Sequence, residues 1–339
     1  MNIIFLKIVF GSIFHIFLNF IFKRIKFFKD DISFSKHKEL ATEKKGILLT
    51  GGISLLILFC LFFQGNYQLK LFCFFILMIG LLSDLNLISN PLKRFTIQTI
   101  ILIIFVNQFS NNITYTDIFF LDFILKYKLI FYFFIIYCFL VIINGTNFID
   151  GLNGLVLGYY ILSVFTLLMF IISKDINYDD RLIKLLLIIL IINYPFNFFG
   201  KNFLGDSGSY LIAFLVGFVF IDFYNSYKDI SALFIATLLW YPAFENLFSI
   251  IRKKIEKRDP SKPDTNHIHQ LIFKILINKL KNKKKTNIVS GLVINIYNFL
   301  VFFIAFFLAN SSIGLSILLV FNIIIYSSSY LILSKKLKN

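Results

Sequence analysis

The sequence predicts an all-α polytopic membrane protein, one bundle of 10–11 transmembrane helices with its active site on the cytoplasmic face. Three observations carry that expectation. Of 339 residues, 58% are apolar and only 15% charged, against roughly 25% charged in a soluble domain. The apolar residues, about 197 in all, gather into runs that would supply about ten spans of ~20 residues. Basic residues concentrate in alternate loops between those runs. Such a chain is not a soluble globular protein, a disordered one or a disulfide-stapled secreted domain.

Eleven apolar segments can be drawn, at about 1–22, 47–63, 70–88, 95–110, 128–145, 150–173, 182–199, 210–227, 229–251, 287–309 and 312–334. The first lacks an A-x-A-like cleavage site and leads into a Lys-rich loop, so it reads as a retained helix rather than a signal peptide. Most of the rest are rich in Phe and Ile all round, as lipid-facing or bundle-packed helices should be. Some are shorter than about 18 residues, which leaves the count at ten or eleven. In the ninth, Trp240 and Tyr241 read as interface aromatics, and Glu245 as a residue facing a polar interior. Cys60, Cys73 and Cys138 lie inside apolar runs without metal spacing and read as packing residues. Residues 1–339 form one integral-membrane domain, with no internal repeat or soluble module.

The loops set the orientation. One alternate set, 23–46, 84–94, 144–153, 197–209, 252–286 and 335–339, holds 26 of the 34 Lys and Arg residues. By the positive-inside rule this side is cytoplasmic, with the N-terminus outside and the C-terminus inside. The +16 net charge is therefore membrane-flanking, contacts a lipid bilayer and does not point to nucleic acid. The polar clusters that interrupt the apolar pattern fall on the same side, so function faces the cytoplasm.

Those clusters hold the candidate chemistry. Asp84, Asp150 and Asp206 each lie where an apolar run meets a turn; helix capping would explain any one of them. Three on one face suit a hard cation, since Mg²⁺ takes one or two carboxylates and leaves phosphate oxygens to fill its shell. In NGTNFIDGLNGL (144–155), Asn144, Asn147, Asp150 and Asn153 recur every third residue, which predicts one drifting helix face; a polar packing seam is the plainer alternative. FNFFGKNFLGDSGS (196–209) offers Gly200, Gly205 and Gly208 for backbone N–H groups around an anion and Lys201 as a point charge, with a helix expected from Ser209. GDSG resembles a serine-protease loop, but no β-rich sequence surrounds it. No GxxxxGK[ST] loop exists, which excludes a P-loop ATPase. In the basic loop, Arg252, Lys253, Lys254, Lys257 and Arg258 read as lipid-headgroup anchors. His267 and His269 are too few for a zinc site and suit phosphate contact or proton handling.

Taken in order, these stretches resemble the polyprenyl-phosphate N-acetylhexosamine-1-phosphate transferases of the MraY and WecA type, over residues 37 to 271. LLTGG (48–52) is similar to a Gly-Gly element, GLLSDLNLISNPLKRFTIQ (80–98) to a paired-aspartate motif with Arg94 and Gln98 in place, and NGTNFIDGLNGL to NxxNxxDGxDGL. FNFFGKNFLGDSGS resembles FNxxxxKxFxGDxGS, and HIHQL the HxHH motif, closer to the WecA side. The resemblance implies transfer of an N-acetylhexosamine-1-phosphate from a UDP-N-acetylhexosamine to undecaprenyl phosphate, with release of UMP, in a bacterial inner membrane. It implies Mg²⁺, or Mn²⁺ in its place, on Asp206 with Asp150. Phe203 would stack on uracil, Asn144, Asn147, Asn153, Lys201, Gly205 and Arg94 would bind substrate, and Asp84 would stand near the lipid phosphate. His267 and His269 would contact phosphate or sugar. A homodimer is left open as a further partner. Ser83 stands where the pair's first Asp is expected, and Asn153 replaces the second Asp of DGxDG. An inactive lipid-sugar-binding member is thus one alternative, and a transporter another, although its acids would lie near the midplane.

Overall fold

A computed structural model of the chain describes residues 3–25, 48–109, 116, 118–260, 262 and 264–338; most of the basic loop at 23–46 lies outside them. Among the described residues the chain forms fourteen helices: α1 (Ile3–Ile25), α2 (Gly51–Phe62), α3 (Tyr67–Asp84), α4 (Pro91–Phe109), α5 (Phe119–Leu125), α6 (Lys128–Ile149), α7 (Leu155–Ser173), α8 (Arg181–Phe198), α9 (Gly205–Ser226), α10 (Ala232–Leu238), α11 (Trp240–Ile255), α12 (Ile268–Leu280), α13 (Lys283–Phe307) and α14 (Ser312–Lys338). Nine are long and apolar enough to cross a membrane, and α10 with α11 would make a tenth, bent span. The protein is therefore the multi-pass helical bundle that composition predicts, with α2 as a shorter apolar helix.

Packing follows from where side chains can be omitted or turned outward. Helix α9 is the central post: Ser207 to Gly217 are buried throughout, and α2, α3 and α6 pack on it. Helices α3 and α9 approach so closely that a Cβ added at Gly80 would strike the backbone of Ser207. Small residues permit such approach where no hydrophobic force drives helices together. Helices α1, α4, α13 and α14 instead expose Phe, Ile and Leu along one side, for instance Phe17, Ile104, Phe303 and Ile324. In hydrocarbon that exposure carries no penalty.

Three expectations need correction. The segment 229–251 is not one straight span, for α10 and α11 meet at 75°. Pro242 has no N–H to give to the carbonyl of Leu238, so the ladder cannot run through. That carbonyl accepts the hydroxyls of Tyr159 (3.0 Å) and Ser163 (2.9 Å) from α7 instead. Trp240 and Tyr241 are not interface aromatics but buried at this bend, and Trp240 Nε1 donates to Asn298 Oδ1 at 2.9 Å. The helix expected from Ser209 starts earlier, at Gly205, because a carboxylate from α3 satisfies its first N–H groups.

Candidate active site

Four helix ends meet where the polar stretches converge. Helix α3 stops at Asp84 because Asn86 turns left-handed (φ 59°), and the N–H groups of Leu87 and Ile88 fold back to Leu82 O at 2.9 and 3.0 Å. Pro91 then opens α4, where a missing N–H is harmless, and the reversal brings Arg94 beside Ser83. Asp84 Oδ1 accepts from the backbone N–H of Asp206 (2.8 Å) and Oδ2 from that of Ser207 (3.1 Å). Asp84 thus caps α9 from another helix, an anion on the positive end of the dipole. Gly205 has to be glycine there: its φ is +67°, and a Cβ would lie 2.6 Å from Asp84 Oδ2.

Asp206, one residue into α9, is gripped from three sides. Its Oδ2 accepts from Ser83 Oγ at 2.5 Å and from Arg94 Nη1 at 2.6 Å, and Arg94 also donates to Ser83. Its Oδ1 accepts from Asn147 Nδ2 of α6 at 2.6 Å. One turn back, Asn144 Nδ2 donates to Gln98 Oε1 at 3.1 Å. The every-third-residue face predicted for 144–153 holds only for Asn144 and Asn147. Helix α6 ends at Ile149, and Asp150 and Asn153 lie in the turn that follows. Two asparagines from other helices hold that turn: Asn287 Oδ1 accepts from the N–H of Asn153 and Asn197 Oδ1 from that of Gly154, both at 2.8 Å. Burial first, then the charges of Asp206 and Asp84, push the Asp150 carboxyl well above the usual carboxylate range. Asn153 Nδ2, buried and without a partner, points at Gly200, where an added Cβ would sit 2.9 Å from it.

The stretch 199–204, which carries Gly200, is strapped to residues 48–51, where α2 begins. Phe203 N–H donates to Leu48 O at 2.9 Å and Gly51 N–H to Phe203 O at 3.1 Å, around an isolated Leu48–Asn202 bridge. Asn202 Nδ2 also meets His15 Nε2 at 3.0 Å, while His15 Nδ1 pairs with Ser54 Oγ at 2.5 Å. Lys201 is exposed and Phe203 half-buried on this strap.

The histidines approach from the far side. His269 is 0% exposed, neither ring nitrogen has a partner, and the ring presses on Gly151, which has no Cβ to block it. Burial, and next the neighbouring charge of His267, lower its pKa to about 3, so the ring is neutral. His267 Nδ1 lies 2.9 Å from Glu245 Oε1, and its Nε2 3.3 Å from Asp264 Oδ1. Burial works to raise the Asp264 carboxyl, but His267, Arg252 and Lys253 outweigh it and hold it low.

Arg252 and Lys253 are not lipid-headgroup anchors. Both are buried: Arg252 pairs with Asp264 at 2.7 Å, and Lys253 Nζ donates to the carbonyls of Pro260 (3.2 Å) and Lys262 (2.7 Å). The roles of Asp264, Arg252 and Tyr326 were not legible beforehand. Asp264 offered a faint signal, three residues before His267; Tyr326 offered none.

The arrangement thus presents an N-terminal helix dipole, a guanidinium, two asparagine amides and carboxylate oxygens within one region, suited to phosphate oxygens and a cation together. The donors are oxygens without thiolate, which fits a hard cation. Among the described residues no three His, Cys, Asp or Glu side chains form a ligand group. A metal here would therefore rest on one or two carboxylates and draw its other ligands from substrate and water.

Residues 66–224 match the family described as Glycosyl transferase family 4. Over 190 residues the chain is 26% identical to a Bacillus subtilis protein named "Probable undecaprenyl-phosphate N-acetylglucosaminyl 1-phosphate transferase", covering 55% of this chain and 50% of that one. It is 27% identical over 232 residues to "Undecaprenyl-phosphate alpha-N-acetylglucosaminyl 1-phosphate transferase" of Thermotoga maritima, 68% of this chain and 69% of that one. It is 30% identical over 155 residues to "Decaprenyl-phosphate N-acetylglucosaminephosphotransferase" of Mycolicibacterium smegmatis, 40% of this chain and 38% of that one. The match spans about half the length of the Bacillus protein. Three of the polar stretches lie inside residues 66–224, and the His267–His269 stretch lies beyond them.

Proposed function

We propose, from the match of residues 66–224 to glycosyl transferase family 4 and from the geometry of the site, that the chain transfers an N-acetylhexosamine-1-phosphate from a UDP-sugar to undecaprenyl phosphate and releases UMP. The observation that carries this reading is the meeting of Asp206 with Arg94, Ser83 and Asn147 at the dipole end of α9. Three sequence-distant motifs supply those groups, and a packing seam alone would not require a guanidinium there.

The acceptor needs little activation. A phosphate monoester has a second pKa near 6, so a lipid phosphate is mostly dianionic at neutral pH. One of its oxygens attacks the sugar-bearing phosphorus of the UDP-sugar; a new P–O bond forms, the bond to the UMP oxygen breaks, and UMP leaves as the anion. Catalysis is then positioning and charge stabilisation, with no covalent Asp intermediate. Arg94 and Lys201 receive phosphate oxygens, Asn147 orients Asp206, and Asp84 fixes the first turn of α9. Neutral His269 offers a ring nitrogen to phosphate or sugar. Asp206 and Asp150 would hold Mg²⁺, which when bound supplies Lewis-acid neutralisation of phosphate charge. The 26 of 34 basic residues on one set of loops support a cytoplasmic site in a bacterial inner membrane, N-terminus outside.

The test is UMP release by the detergent-solubilised protein with Mg²⁺, undecaprenyl phosphate and a panel of UDP-N-acetylhexosamines, with Asp206→Asn as control. Lipid-dependent UMP release that the substitution abolishes is the expected result. Retained UDP-sugar binding without turnover on any sugar would replace the enzyme with a binding protein, the reading that Ser83 and Asn153 favour.

A further inference from the structure

A buried chain of polar groups has no part in the transfer just described. Glu245, 1% exposed on α11, receives the Tyr326 hydroxyl of α14 on Oε2 at 2.5 Å and faces His267 Nδ1 with Oε1 at 2.9 Å. Taking a carboxylate out of water is costly, and a well-packed apolar residue would often be at least as stable. Stability therefore gives no reason for an acid here. Its geometry does. The His267 ring lies between Phe148, with centroids 5.4 Å apart, and His269, at 5.7 Å and 16° from parallel. Which ring nitrogen of a histidine carries a proton is set by the partner the nitrogen faces. Glu245 can only accept from Nδ1, so it holds that nitrogen as a donor, and with Asp264 Oδ1 3.3 Å from Nε2 it sets the ring plane. His269, stacked on that plane, is held with its edge on the Asp150–Gly151 turn.

We propose that Glu245 is a positioning residue: through His267 it sets the plane in which His269 meets the Asp150 turn, and Tyr326 of α14 holds Glu245 in place. The effect on rate rests on the transferase reading above; the effect on His267 does not.

The full chain contains four histidines, so ¹⁵N-histidine labelling in detergent gives a readable spectrum, with His267→Gln to assign the ring. The expected wild-type signature is a protonated Nδ1 on His267. In Glu245→Ala that signature is lost, kcat falls about tenfold or more, and KM for the UDP-sugar changes less than about threefold. Glu245→Gln, whose amide oxygen still accepts from Nδ1, recovers both in part. An unprotonated Nδ1 in the wild type, or a Glu245→Ala spectrum identical to wild type, overturns the proposal. So does activity lost only in proportion to folded protein, without recovery in Glu245→Gln. If Glu245→Ala does not fold, Tyr326→Phe removes one hydroxyl and is expected to perturb the same ¹⁵N signal; an unchanged signal there also overturns it. A wild type without turnover would sink the transferase reading, while the ¹⁵N arm still decides whether Glu245 sets His267.

Discussion

Ser83 is where residue chemistry matters most, because the hydroxyl does what a second carboxylate could not: it donates to Asp206 at 2.5 Å. Ser83→Asp would set a like charge against Asp206 and compete for Arg94. We expect a loss of activity by a factor of about ten, or ~1.4 kcal/mol of transition-state stabilisation. A large gain in UMP release would instead mark Ser83 as a decayed position. On the proposed transferase reading, Arg94→Ala should leave Asp206 short of a cation and weaken binding of the proposed UDP-sugar, read as a KM raised about tenfold. Asp84, Asp150 and Asp206 were legible in the sequence because an acid beside an apolar run needs a reason. What the sequence withheld was the use of each: Asp84 is spent on the N–H groups of α9. Arg252 and Lys253 look like any basic helix end, and only the fold shows them turned inward onto Pro260, Lys262 and Asp264. Tyr326 sits in an apolar run, where a tyrosine raises no question.

At the scale of elements, existence was easier to foresee than shape. Apolar runs of the right length announce helices, but periodicity is silent on breaks, and Pro242 near the middle of one run was the sign that the ninth would bend. The hydroxyls of Tyr159 and Ser163 serve the carbonyl that this bend releases. The double variant Tyr159→Phe with Ser163→Ala should therefore lower stability by about 2 kcal/mol, measured as the shift of a thermal unfolding midpoint in detergent. Gly80 tests the α3–α9 contact separately. Gly80→Ala should cost about 1–3 kcal/mol by overpacking and, by moving α3, lengthen the Asp84–α9 contacts, so activity should fall further than stability alone explains. An alanine variant as stable and active as the parent would mean that the two helices can part without harm.

For the whole molecule, acidity and topology give independent checks. His269 is neutral because burial lowers its pKa from 6.5 to about 3. The unfolded chain takes up a proton there below about pH 6.5, and the folded one does not until about pH 3. Stability should therefore fall as pH drops through that window, with no contribution from His269 above it. A His269→Leu variant should show a flatter acid limb in detergent melts. The 26-to-8 partition of basic residues is checked by a fluorescent protein fused after residue 339, which should glow if that end is cytoplasmic; a dark, exported fusion would invert the topology. The strap from His15 through Asn202, and the link from Glu245 to Tyr326, have a consequence in time rather than in space. Their members lie 187 and 81 residues apart, so as the ribosome feeds helices into the bilayer one by one, the site stays unassembled until residue 326 has been inserted. A translation stalled midway leaves helices in the membrane but no assembled site at their ends.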